Sequence, residues 1–314
     1  MSPIFLRVEI RPADGYNLKQ GGKNNMKKSF RVVTLIAAAA TAGWAYGGIG
    51  MSVKIERKTC LAADGVTLVY SAAGKDEPAL VFIHGGLADR TFWDAQLKAF
   101  ADRHRTIALD LPGHGESGLN RKKWGIPEFG ADVKAVIDAE KLKDVVILGN
   151  SLGGPVAIEA ALLLPGRVLG VVGVDTLHVL DDEITPEDAR DRAELFSRDF
   201  PGALKRMVRM LFHPDADPAI VAEAEKRMSG ASPEAARAMF LSLGGYDQGA
   251  SVRRLTVPLR AINGDLYPTD VAGNRKAKAD FDAVIMKHMG HYPMLERPEE
   301  FNRLVEETVA ALMK

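Results

Sequence analysis

Cysteine is almost missing from this chain: a single one, Cys60, can close no disulfide within the molecule and brings no Cys-rich framework for a structural zinc. Net charge is missing too. Lys and Arg number 41 and so do Asp and Glu, and no block of like charges offers a nucleic acid its footprint, so such a partner is excluded. With 46% hydrophobic and 26% charged residues, the disordered, collagen-like and coiled-coil classes fall away as well. What is there is a chain of 314 residues, long enough for one large domain with an excursion, whose stability has to come from a buried apolar core.

The N-terminus differs from the rest. Residues 32–50 carry no charge and follow the basic cluster Lys27, Lys28 and Arg31. A basic patch before an apolar stretch is the pattern of a secretory signal peptide or of a weak uncleaved anchor, Ala and Gly diluting this one as a membrane span. The protein is therefore expected outside the cytoplasm, periplasmic or secreted, or associated with a membrane. Cys60 follows Arg57-Lys58-Thr59 and forms no lipobox, which argues against a lipid-attached start. Residues 1–25 are polar and unpatterned, so Met26 is the expected true start.

After Met51 the pattern becomes regular. Residues 54–61 and 67–72 flank Ala63-Asp64-Gly65 and predict an antiparallel hairpin. Continuous apolar runs follow at 80–83, 106–109, 145–148, 168–174, 259–262 and 283–286, with helical stretches such as 129–139 and 156–164 between some of them. Unalternating hydrophobicity suits strands buried on both faces, so the expected fold class is α/β, a doubly wound, mostly parallel sheet. From 176 to 254 the strand rhythm stops, for too long to be a plain loop. Helical segments beginning near proline fill the gap, at 186–196, 203–212, 218–228 and 233–243. The expected organisation is an N-terminal extension over 1–50, the first part of the core over 51–175, a helical cap over 176–254 and the second part of the core over 255–314.

Chemistry concentrates in loops that follow strands, where α/β sheets gather their catalytic groups. The run 145–148 leads into Gly149-Asn150-Ser151-Leu152-Gly153-Gly154 and then a helix. Two small residues permit a sharp turn that lifts the Ser151 hydroxyl above the sheet, while the helix N-terminus presents N–H donors to developing negative charge. Serine needs a base to activate it and an acid to orient that base. Of the seven histidines, His291 is the candidate base, in a loop that a following helix, with Phe301, Leu304, Val305, Thr308 and Leu312 on one face, would fix. His84 and His114 fall in backbone-shaping loops, and His104, His178 and His213 read as surface or cap residues. His288-x-x-His291 falls across a loop with no carboxylate or Cys cluster to complete it, so neither a metal nor a cofactor is expected.

These landmarks resemble the α/β-hydrolase superfamily from about Ile55 to the C-terminus. Phe82-Ile83-His84-Gly85-Gly86 is similar to its oxyanion loop, and Phe92-Trp93, Asp110-Leu111-Pro112-Gly113-His114-Gly115-Glu116-Ser117, the Ser151 elbow and Gly290-His291-Tyr292-Pro293 follow in the superfamily's order. The resemblance implies Ser151 as nucleophile and the N–H groups of Gly86 and Leu152 as the oxyanion site. It also implies an acid in a Gly-x-x-Asp after the strand at 259–262, but Gly264-Asp265-Leu266-Tyr267 sets tyrosine there. Asp265 is the first choice in a shortened loop, Asp175 at the end of the preceding strand the alternative, and Asp270 the third, each with a plain structural reading: turn residue for Asp175, helix cap for Asp270.

The implied activity is a serine hydrolase cleaving a small carboxylic ester, of apolar character, through a Ser-His-Asp triad and an acyl-enzyme. Alternatives on the same triad are a carbon–carbon bond hydrolase, a lactonase or a cofactor-free perhydrolase. Haloalkane dehalogenases and epoxide hydrolases carry Asp where this chain has Ser151. A non-catalytic ligand-binding protein on the same fold is the alternative from another class. Met207, Met210 and Phe240 are expected to line the substrate side of the cap or, as is more often the case for a Met stripe at helical spacing, to form its core.

Overall fold

The structure, a computed structural model, describes residues 53–314; the apolar stretch 32–50 and the expected start at Met26 lie outside the described residues. Among the described residues no helix is long and apolar enough to cross a membrane.

The strands are β1 (Glu56–Leu61), β2 (Thr67–Ala73), β3 (Ala79–Ile83), β4 (Thr106–Leu109), β5 (Val145–Asn150), β6 (Val168–Val174), β7 (Leu259–Gly264) and β8 (Asp282–Met286). They form one sheet in the order β1-β2-β4-β3-β5-β6-β7-β8. β1 and β2 pair as the expected hairpin and β2 runs antiparallel to β4, while β4, β3 and β5 through β8 are parallel. Gly65, at φ +84°, closes the hairpin in the left-handed region. β3, β4 and β5 are buried along their whole length, as their unbroken apolar runs require.

Helices cover the faces: α1 (Asp94–Phe100), α2 (Ile126–Ala139) and α3 (Gly153–Leu162) early in the chain, then α4 (Pro186–Arg198), α5 (Phe200–Leu211), α6 (Pro218–Met228), α7 (Pro233–Leu243) and α8 (Gln248–Arg254) between β6 and β7. α9 (Val271–Ala277), the short α10 (Pro293–Glu296) and α11 (Pro298–Leu312) complete the set. The five helices between β6 and β7 begin one after another with a capping side chain, Thr185, Asp199, Asp217, Ser232 and Asp247, each accepting a first-turn N–H. Four of them have proline in the first turn, where its missing N–H costs nothing. The insert is tied to the core where Tyr246 and Ser251 both donate to the Glu159 carboxylate on α3.

Strand order locates the place for chemistry. The connection from β3 goes through α1 to β4 on one side, whereas the connection from β4 passes through α2 to β5 on the other side of β3. The loops leaving the C-terminal ends of β3 and β5 therefore diverge, and such a switch point opens a crevice. Those loops carry Gly86 and Ser151.

α11 holds the far end in register through Phe301, buried against Trp93 with ring centroids 6.2 Å apart. Phe301→Ala is expected to cost about 3–5 kcal/mol of unfolding free energy, measurable as a lowered midpoint in urea; an unchanged midpoint would show that the helix docks by other means.

Candidate active site

Ser151 takes φ +53°, the left-handed region, between β5 and α3. The reason is local crowding. A Cβ on Gly149 would lie 2.0 Å from the Gly153 carbonyl oxygen, and one on Gly153 would lie 2.6 Å from the carbonyl oxygen of Ile83, so only glycine fits on either side. The strained residue, worth roughly 1–3 kcal/mol, is pinned from both sides: its N–H donates to the Val174 carbonyl at 3.2 Å and its own carbonyl accepts from Thr176 Oγ1 at 3.0 Å.

His291 is fixed by three separate elements. Its N–H donates to Leu211 O at 2.7 Å, its carbonyl accepts from Asn150 Nδ2 at 3.0 Å, and its ring Nδ1 lies 2.5 Å from Asp175 Oδ2. An ionised carboxylate only accepts, so Nδ1 carries the proton and Nε2 is left with a free lone pair.

The carboxylate that the structure brings to His291 is that of Asp175, the alternative, and not that of Asp265, the first choice. Asp265 is exposed and accepts the Met289 N–H at 3.2 Å, with Lys287 Nζ at 3.9 Å; it makes no contact with the imidazole. The physical reason lies in the strand ends. Asp175 leaves β6 at φ +44° and its Oδ1 accepts the Gly264 N–H at 2.8 Å, so its carboxylate fills the space that an acid following β7 would have to enter. Asp270 caps α9 by accepting the Gly273 N–H at 2.8 Å, the structural role foreseen for it. Tyr267, standing where the family pattern has its acid, donates its hydroxyl to Met210 O at 2.8 Å.

Asp175 is fully buried in its side chain, and a second imidazole stands beside it: His178 Nε2 is 3.6 Å from Oδ1. Burial opposes ionisation of the carboxyl, but the imidazoles of His178 and His291 outweigh it and hold its pKa well below the usual carboxylate range. His178, at the start of the insert, is buried against this carboxylate and not on the surface. The Asp-x-x-His spacing after a strand was the signal for it. Asn150 was passed over for a different reason: its place inside the elbow motif is variable in type, and its grip on the His291 loop spans 141 positions of sequence.

The N–H groups of Gly86 and Leu152 take part in no backbone hydrogen bond found among the described residues. The Gly86 N–H is aimed by its neighbour. Buried His84 accepts the Leu111 N–H on Nε2 at 3.0 Å, which places its proton on Nδ1, and Nδ1 donates to Gly85 O at 2.7 Å. In a trans peptide the carbonyl and the next N–H point in opposite directions, so anchoring Gly85 O turns the Gly86 N–H the other way. Burial lowers the pKa of His84, and it takes that of His114 down to about 3 with help from the adjacent His84 ring, so neither is a competing base. Over this loop lies Met239 of α7: a Cβ on Gly86 would be 3.0 Å from its Cε. Phe240, by contrast, packs on Phe196 with centroids 4.7 Å apart, as a core residue of the insert.

The chain is 27% identical over 244 residues to the dihydrolipoyllysine-residue acetyltransferase component of the acetoin cleaving system of Pseudomonas putida, covering 74% of this chain but only 64% of that protein. It is 26% identical over 256 residues to the pimeloyl-[acyl-carrier protein] methyl ester esterase of Nitrosospira multiformis, covering 76% of this chain and 96% of the relative. An esterase from Thermogutta terrifontis, 23% identical, shares the fold with a TM-score of 0.73 over 82% of this chain and all of its own. A family model described as alpha/beta hydrolase family matches residues 80–304. By that match, running from β3 into the first half of α11, the chain belongs to the alpha/beta hydrolase family.

Proposed function

We propose that the protein is a serine hydrolase cleaving a small carboxylic ester, with Ser151 as nucleophile, His291 as base and Asp175, in place of Asp265, as the acid that orients it. The observation that carries this reading is the Asp175–His291 pair at 2.5 Å, which leaves Nε2 unprotonated, together with a serine held in a left-handed elbow after β5. Ser151 Oγ attacks the acyl carbonyl carbon while His291 Nε2 takes its proton, and Asp175 stabilises the imidazolium that results. Charge developing on the carbonyl oxygen is met by the N–H groups of Gly86 and Leu152. Collapse expels the alcohol, which receives the proton from His291. Water, deprotonated by the same nitrogen, then attacks the acyl-enzyme, releasing the carboxylic acid and restoring Ser151. The name of the Nitrosospira multiformis relative, an ester hydrolase covered over 96% of its length, supports the ester as the bond.

Met239 over the Gly86 loop and Met228, whose sulfur accepts from Tyr292 Oη at 3.6 Å next to His291, give the helical insert the part of a cap with a pliable apolar lining. The uncharged stretch 32–50 after a basic cluster supports an exported or membrane-held protein. Recovery of the native full-length chain solely from the cytosol would refute that part.

Three measurements test the reading. A fluorophosphonate probe is expected to label the wild type and not Ser151→Ala, whose kcat on p-nitrophenyl esters falls roughly 10⁴-fold or more with the fold intact; an unlabelled wild type would favour a binding protein. Asp175→Asn is expected to lose roughly 10⁴-fold in kcat, as when the acid of another triad is neutralised, and Asp265→Asn about tenfold or less. The opposite ranking would return the acid to the β7 loop. Met239→Ala is expected to shift the ratio of kcat/KM between long and short acyl esters by about fivefold or more; a constant ratio would make Met239 a packing residue alone.

A further inference from the structure

We propose that His213, Asp215 and His288 form a binding site for a divalent transition metal of zinc type, at the seam between the helical insert and the loop that carries His291. His213 and Asp215 follow α5, and His288 precedes His291 by three positions after β8. One ligand atom from each residue lies within 4.8 Å of the other two. The His213 and His288 rings stand nearly perpendicular, at 81°, with centroids 5.5 Å apart. Two imidazoles on a tetrahedral ion at about 2.0–2.1 Å would set their nitrogens about 3.4 Å and their ring centres about 5 Å apart. The rings are therefore within a small adjustment of ligating geometry.

The third donor is free to complete the set. The Asp215 side chain is 78% exposed and its Oδ2 lies 3.6 Å from His213 Nδ1. That nitrogen already accepts the Asp215 N–H at 3.3 Å, so its lone pair is available and an ion displaces only one long hydrogen bond. His288 is held in place at φ +51°, its carbonyl accepting from Arg297 Nη2 at 3.0 Å. Two imidazoles and one carboxylate leave coordination positions for water, as in open zinc sites. Arg297 and Lys287 flank His288 and weaken the attraction for a cation, which sets this site below a closed structural zinc in affinity.

The position gives the ion a task. Leu211 O accepts the His291 N–H at 2.7 Å, and Gly290 packs so closely that a Cβ there would meet Leu211 O at 2.7 Å and His213 N at 2.8 Å. A metal joining 213 and 215 to 288 would clamp the insert to the backbone that holds His291. The reading of the rejected His288-x-x-His291 pair changes accordingly: His288 pairs with the insert, and His291 with Asp175.

The test uses the full chain and requires no ester substrate, so it stands or falls apart from the proposed hydrolase. Titration with Co²⁺ at pH 7.5, followed by visible d–d absorption, and with Zn²⁺ by calorimetry should give one equivalent bound and a raised thermal midpoint. His213→Ala, His288→Ala and Asp215→Asn should each weaken binding about tenfold or more, with the metal-free midpoint of the exposed Asp215→Asn unchanged. His104→Gln, remote in the sequence and bonded to Pro78 O, should bind as wild type. Absence of binding, or binding that survives His213→Ala and Asp215→Asn, would overturn the site.

Discussion

A carboxylate with no access to water must be surrounded by donors, and Asp175 organises the C-terminal edge of the sheet through that requirement. Its two oxygens accept the Gly264 N–H from β7 and the ring N–H of His291 from the loop after β8, while the His178 ring, 3.6 Å away at the start of the insert, stands beside them without a hydrogen bond. Removing any one of these donors leaves negative charge under-satisfied in a low-dielectric place, where the penalty is largest. Three segments far apart in sequence are thereby brought to one point, which is also where Thr176 and Val174 grip the backbone of Ser151. The geometry of the candidate site and the stability of the sheet edge are the same interaction viewed from two sides.

Much of the fold is legible in the sequence because strands buried on both faces leave a plain trace. The run 145–148 sits inside β5, 168–174 coincides with β6, and 259–262 lies within β7. The hairpin was visible in Asp64-Gly65, and the nucleophile elbow in two glycines whose replacement the backbone would not admit. The carboxylate that pairs with His291 was not legible in the same way. Asp175 and Asp265 each follow a strand, and the choice between them depends on how far each carboxylate lies from an imidazole contributed by a third strand end. Nothing local to either aspartate encodes that distance. His178 escaped for the related reason that burial of a polar residue after a strand depends on what packs over it, here α9 and the insert; the His178 carbonyl accepts from Asp270 N and Asn274 Nδ2.

The insert follows a different economy from the sheet. Its helices are short and sparingly apolar, and each is defined by a proline, a capping side chain or both rather than by burial alone. Such elements keep their form while their mutual packing changes, because caps act within one turn. Its attachments are both polar and apolar: Tyr246 and Ser251 on Glu159, Tyr267 on Met210 O, the Leu211 carbonyl on His291, and Phe212 packed near Tyr292 with ring centroids 5.3 Å apart. A segment built this way can vary in the side chains it turns toward a ligand without disturbing the strands beneath.

The anchoring of the Gly85 carbonyl by His84 has a consequence in time as well as in space. A solvent dipole must turn after a charge appears, and that turning is a large part of the barrier to reactions in water. Here the dipole of the 85–86 peptide is oriented when the chain folds, by a buried imidazole whose lowered pKa keeps it in one protonation state near neutrality. Each encounter with a ligand thus begins with the reorientation already complete. The work was done once, during folding, by a hydrogen bond between adjacent residues.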